Sequence, residues 1–138
     1  MKAWILMGLA LSLPMVAVAQ EAAKEGEGAA PKVAYVSLTP PFVGNYALDG
    51  SPRLHVYKAD IALKVTGAEA EAAVKHQDPL IRNQLVALFA QQTVESMTGV
   101  EAKEKLRQEA LKQVQQVMND EEGKPVVEDL LFNNLIVQ

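Results

Sequence analysis

Arg53-Leu54-His55-Val56-Tyr57-Lys58-Ala59-Asp60-Ile61-Ala62-Leu63-Lys64-Val65 decides the fold class. From Tyr57 onward the apolar residues Tyr57, Ala59, Ile61, Leu63 and Val65 fall on every second position, with Lys58, Asp60, Ala62 and Lys64 between them. A period of two sends successive side chains to opposite faces of an extended chain. The stretch therefore predicts a strand with one buried and one wet face. Leu54 and Val56 break the alternation, which predicts that its first half is covered on both sides. Gly67 ends the pattern, and the Ala- and Glu-rich run Ala68 to His76 predicts a short helix.

Upstream, Val33-Ala34-Tyr35-Val36-Ser37-Leu38 predicts another strand, stopped by Pro40-Pro41, neither of which carries an N–H for a ladder. Asp49-Gly50-Ser51-Pro52 has turn chemistry. Downstream, Asp78-Pro79 is a helix start: the carboxylate can accept from an orphan N–H, and Pro at the first helical position has no donor to lose. That helix is expected from Pro79 to about Thr93, with Ile81, Leu85, Leu88 and Phe89 on the core side. Thr98 and Glu101 have capping-box spacing and open a second long helix to about Met118, burying Ala102, Leu106, Ala110, Val114, Val117 and Met118.

Gly123-Lys124-Pro125 breaks the chain again, and Val126 to Gln138 returns as a long strand. Simple alternation there puts Leu130, Phe132 and Ile136 on one face and Leu131, Leu135 and Val137 on the other, so both faces are apolar. A central strand would explain this, and so would an exposed strip used in assembly. The order of strands, helices and a final strand predicts an α+β fold, a small mixed sheet with two long helices packed on one side. No internal repeat is present.

Residues 1–19 have the parts of an export signal in order: Met1-Lys2, an apolar run from Ala3 to Leu13, Pro14, then Ala17-Val18-Ala19. Cleavage after Ala19 is one reading. Retention as a membrane anchor is the other, since Ala3 to Ala19 reaches the lower end of the ~17–25 residues that span a bilayer core. Gln20 to Lys32, dominated by Ala, Gly and Glu, reads as a linker to a single domain over residues 33–138. Without residues 1–19 the chain carries 12 basic and 17 acidic residues, a net charge of −5. Nucleic acid is a poor partner for that balance, and there is no polybasic patch for a membrane surface. With no cysteine, disulfides, thiol catalysis and thiolate metal sites are excluded.

Catalytic patterns are missing. His55 and His76 stand apart from the ligand spacing that zinc requires, and Asp120-Glu121-Glu122 sits in what reads as a polar, solvated turn. Nucleophile-elbow, phosphate-loop and HExxH patterns do not occur. These residues predict a binding or structural protein, not an enzyme, with no cofactor and no metal.

Four separated stretches carry a family likeness: Pro40-Pro41-Phe42-Val43-Gly44-Asn45, Asp78-Pro79-Leu80-Ile81-Arg82-Asn83, Lys103-Glu104-Lys105-Leu106-Arg107 and Phe132-Asn133-Asn134-Leu135-Ile136-Val137-Gln138. None is specific alone; in this order and spacing the set resembles the flagellar basal body-associated FliL family from about Tyr35 to Gln138. The resemblance implies a periplasmic domain similar to the stomatin-type (SPFH) domain, on the periplasmic side of the inner membrane at the flagellar basal body. It further implies association with the MotA and MotB stator, an influence on torque, swimming, swarming and chemotactic motility, and a homo-oligomeric ring. The chain departs from the family in Asn133-Asn134, where relatives commonly carry Thr-Glu-Phe after the Phe, and in Gly99-Val100, where a Pro-containing start is usual. A divergent paralogue, acting as a periplasmic adaptor or ligand-binding module unrelated to the motor, is the alternative.

Within the matched stretches the candidate interface residues are Pro40, Pro41, Phe42, Arg82, Asn83 and Phe132. Arg82 is the most informative, because a cation in a helix's first turn opposes the macrodipole. An internal salt bridge to Glu128 or Asp129, with Asn83 as a hydrogen-bonding companion, is one expectation; a carboxylate on another subunit is the other. Phe42 reads as core or as an aromatic anchor for a neighbour.

Overall fold

Strands β1 (Val33–Tyr46), β2 (His55–Thr66) and β3 (Asp129–Val137) form one sheet in the order β1-β2-β3. This computed structural model describes residues 30–48 and 52–138, of which 31–138 cluster as a unit. The export signal or anchor, most of the linker and Asp49-Gly50-Ser51 of the expected turn lie outside the described residues. Between β2 and β3 the chain forms α1 (Ala68–His76), α2 (Asp78–Ala90), α3 (Val94–Met97) and α4 (Val100–Glu122). The α+β class is as the sequence predicts. The expected mixed sheet, however, is antiparallel throughout. The helical excursion leaves from the Thr66 end of β2 and returns to that same end, where the Glu128 N–H donates to the Lys64 carbonyl at 2.8 Å. A strand re-entering there must run opposite to β2.

The face of β2 expected to be buried is buried: Tyr57, Ala59, Ile61, Leu63 and Val65 are all at most 2% exposed. Over them lie Ile81, Leu85, Leu88 and Phe89 of α2 and Leu106, Ala110, Val114 and Met118 of α4. Helix α2 packs against β1 and α4 against β3, and the two helices pack on each other. Ala62, on the other face, is also buried, since its neighbours Ser37 and Leu131 overshadow a side chain of one carbon. Leu54 corrects the expectation of two-sided cover: it precedes the strand and is 65% exposed.

Pro40-Pro41 does not stop the first strand. β1 runs through it with an irregularity, Leu38 facing Ile61 and Phe42 facing Ala59, so that Thr39, Pro40 and Pro41 together oppose Asp60. The Thr39–Pro40 peptide is cis. Prolines are tolerated because β1 is an edge strand with a bulge at that point. Two additional residues leave the side-chain phase intact, so Val36, Leu38, Phe42 and Tyr46 all face inward.

A second irregularity changes the reading of the last strand. Ile61 faces Phe132 while Asp60 faces Asn134, so Asn133 is one residue too many and the phase inverts across it. The inward set is therefore Leu130, Phe132, Leu135 and Val137, all packed on or within the core. Leu131, Asn134 and Ile136 face outward. The strand is one-sided, and it lies at an edge, not at the centre.

Helix boundaries show where local rules yield. Asp78 is the first residue of α2 instead of its cap, and no side chain caps that end. The capping box forms at Thr93 and Ser96 on α3, not at Thr98 and Glu101; Thr98 Oγ1 instead donates to the Val94 carbonyl. α4 begins after Gly99 and extends to Glu122, where Gly123 supplies the left-handed residue (φ 79°) that closes it. Asp120-Glu121-Glu122 is thus its last turn, and Glu122 accepts a hydrogen bond from buried Gln77 at 3.0 Å.

Candidate functional site

Two of the three segments holding the candidate residues, Pro40 to Phe42 and Arg82-Asn83, converge on one edge of the sheet. Arg82, in the second turn of α2, reaches across to β1, where its Nη2 donates to the Pro40 carbonyl at 2.8 Å. Its guanidinium carbon lies 4.3 Å from the centre of the Phe42 ring, within cation–π range. Nε stands 3.7 Å from Asp78 Oδ1, one turn earlier on the same helix. These contacts explain how a cation is held near a helix N-terminus: one carboxylate offsets the adverse dipole, and a carbonyl and a π-face take up the rest of the charge. The side chain as a whole is a quarter exposed.

The expected bridge from Arg82 to Glu128 or Asp129 is not formed. Glu128 accepts from Thr66 Oγ1 at 2.7 Å, and Asp129 is held by Arg107 Nη1. The four residues predicted around Arg82 separate by role. Pro40 and Pro41 are exposed and form the ridge that Arg82 supports. Phe42 is 2% exposed, so it is core and not an exposed anchor for a neighbour. Asn83 is exposed beside Arg82 and makes no side-chain hydrogen bond among the described residues. Arg82's companions are Asp78, Pro40 and Phe42 instead.

Beneath the ridge lies an aromatic group centred on Phe89 of α2. It meets Phe42 edge-on at 6.0 Å, Tyr57 at 5.2 Å and Phe132 at 6.2 Å between centroids, one partner from each strand. Phe132 therefore sits at the rim of the core on the far edge and takes no part in the Arg82 cluster. His55 tilts against Tyr46 at 5.3 Å, His76 is exposed at the end of α1, and no group of three metal-ligating side chains occurs among the described residues.

Arg107 was not singled out from the sequence as a site, yet it has the denser set of partners. It donates to both carboxylate oxygens of Glu104, to Asp129 and to the Leu130 carbonyl at 3.2 Å, tying α4 to β3. Its hydrogen bonds hold the Glu104 carboxyl down at about 2, and those same carboxylates push the Arg107 guanidinium further up. The i, i+3 spacing of Glu104 and Arg107 was the available signal. Asp129, far along the chain, was not deducible from it.

Two open grooves, 470 and 430 Å³, adjoin around α3, the larger lined by Glu95, Lys105 and Glu109 and the smaller by Leu48 and Val94 among others. Neither includes a candidate residue. The cluster that the sequence pointed to is a supported surface, not a cavity, and it offers a guanidinium edge and two prolines with no nucleophile or acid–base pair among them.

Comparison with known proteins agrees with the sequence reading. The family model described as "Flagellar basal body-associated protein FliL" matches residues 35–138. The chain is similar to a protein of Aquifex aeolicus (strain VF5) described as "Flagellar protein FliL", 28% identical over 116 residues that cover 79% of this chain and 68% of that protein.

Proposed function

The chain belongs to the FliL family of flagellar basal body-associated proteins, and from that membership we propose that it works by protein–protein contact, not catalysis, on the MotA and MotB stator. In this reading it sits on the periplasmic side of the inner membrane, assembles side by side with copies of itself through a stomatin-like (SPFH-like) domain, and modulates torque and hence swimming, swarming and chemotactic motility. The observation that carries the reading is the Arg82 clamp. It holds an exposed Pro40-Pro41 ridge against a buried Phe42 within the segment that matches the family. A pre-ordered ridge loses little freedom on docking, which is what a contact surface needs.

A fluorescent fusion to the full chain, expressed in the native host, tests it. Spots at flagellar bases that weaken when the stator genes are removed are the expected result. Fluorescence spread evenly around the envelope, with or without stators, would reject the stator contact and return the chain to the adaptor reading.

A further inference from the structure

The two edges of the sheet are not equally protected. β1 carries Pro40 and Pro41, which lack N–H groups and interrupt its register, a common device against pairing with another chain. Among the described residues β3 pairs only with β2, and its stretch Leu130-Leu131-Phe132-Asn133-Asn134-Leu135-Ile136-Val137 has no proline and no charge. At its beginning Arg107 donates to the Leu130 carbonyl and the Leu130 N–H donates to Asp129 Oδ1, so that residue is closed to pairing. From Leu131 on, no proline or charged side chain blocks the edge among the described residues.

The sequence of this edge is also a palindrome of residue character. Reading inward from both ends pairs Leu130 with Val137, Leu131 with Ile136, Phe132 with Leu135 and Asn133 with Asn134. In an unbroken strand this register would set inward residues against outward ones, because eight residues change face an odd number of times between the ends. The bulge at Asn133 removes that conflict. Leu130 and Val137 both face inward, Phe132 and Leu135 both face inward, and Leu131 and Ile136 both face outward. Asp129 falls opposite Gln138, so no like charges meet. An antiparallel pairing of β3 with its own copy about a two-fold axis at Asn133-Asn134 thus matches apolar to apolar on both faces.

We propose that the free edge of β3 is a docking site for a second copy of this chain, forming a two-fold dimer with a continuous six-stranded antiparallel sheet. The occupant is a copy and not the β1 edge of a neighbour, since the prolines spoil a β1–β3 ladder. Two-fold contacts close on themselves, so any larger ring would need a second, different interface. The proposal does not depend on the flagellar role.

Disulfide trapping tests it in the full chain within native cells, which is possible because the chain has no cysteine of its own. Leu131→Cys combined with Ile136→Cys should give a covalent dimer on mild oxidation, while Val33→Cys combined with Val43→Cys on β1 should not. Absence of dimer from the β3 pair, equal dimer from both pairs, or a link to a different polypeptide would overturn the proposal. Leu131 is half-buried, so a second variant guards against misfolding. Asn134→Lys changes an exposed residue and sets two cations together at the axis, and should raise the dimer dissociation constant at least about tenfold. Measured at a concentration where both are monomeric, its thermal midpoint should match the parent's. An unchanged dissociation constant in this variant would overturn the proposal.

Discussion

Each edge strand is tied to a helix by an arginine that reaches a backbone carbonyl, Arg82 to Pro40 at β1 and Arg107 to Leu130 at β3, but the two ties use different chemistry. Arg107 is held by two carboxylates at the start of an otherwise uncharged edge. Arg82 has one carboxylate at 3.7 Å and relies on a carbonyl and an aromatic face beneath a proline ridge. The β1 edge is interrupted by two prolines; the β3 edge is fastened at one end and carries no proline beyond it. The same residue type thus ties a helix to each edge strand through different surroundings.

Phe89 joins the two regions, since its ring meets one aromatic on each strand, and removing it should have the largest effect. Phe89→Ala is expected to destabilise the domain by about 3–5 kcal/mol. A denaturant midpoint within error of the parent would mean that the edges are held independently. Gly44→Ala should break only the β1 side. A Cβ there would stand 2.9 Å from the Tyr57 hydroxyl, whose ring is 2% exposed and has no room to retreat. The expected cost is about 1–3 kcal/mol, and a neutral result would show that Tyr57 swings aside.

The β3 tie is ionic and should respond to pH. Glu104 titrates at about 2 in the folded chain against an ordinary 4.5. Its contribution is complete above the ordinary value and is lost as pH falls from there toward about 2. Arg107→Gln should therefore lower the thermal midpoint at pH 7, with the gap to the parent narrowing between pH 4.5 and 2. A gap that widened on acidification would contradict the assignment. Arg82→Gln is expected to show the smallest effect, about 1 kcal/mol, because the side chain is partly solvated. Added salt should narrow the Arg107→Gln gap more than the Arg82→Gln gap.

The core was legible from local pattern. Alternation in Tyr57 to Val65 and the stripe Ile81, Leu85, Leu88 and Phe89 gave the buried faces of β2 and α2 directly, because burial on one side imposes a period. The edges were not legible. A single additional residue at Asn133 reverses every face beyond it, so a one-sided edge strand mimicked a two-sided central one. Pro40-Pro41 read as a strand end because the chain alone does not reveal that this strand lies at an edge, where a missing N–H is harmless. The oddity of Arg82 was visible as a cation opposing a dipole, but its partner Pro40 lies 42 residues away and is a backbone atom with no signature of its own.

The central claim is that this member of the family acts on the flagellar motor through contact, with the Arg82-supported ridge presented to a partner. Swimming speed measured across a range of medium viscosities in a strain lacking the chain tests that claim most directly. The strain should keep its filaments but lose speed, most steeply at high load. The full chain should restore speed and Arg82→Glu, expressed to the same level, should not. Undiminished speed at every load without the chain would contradict the account.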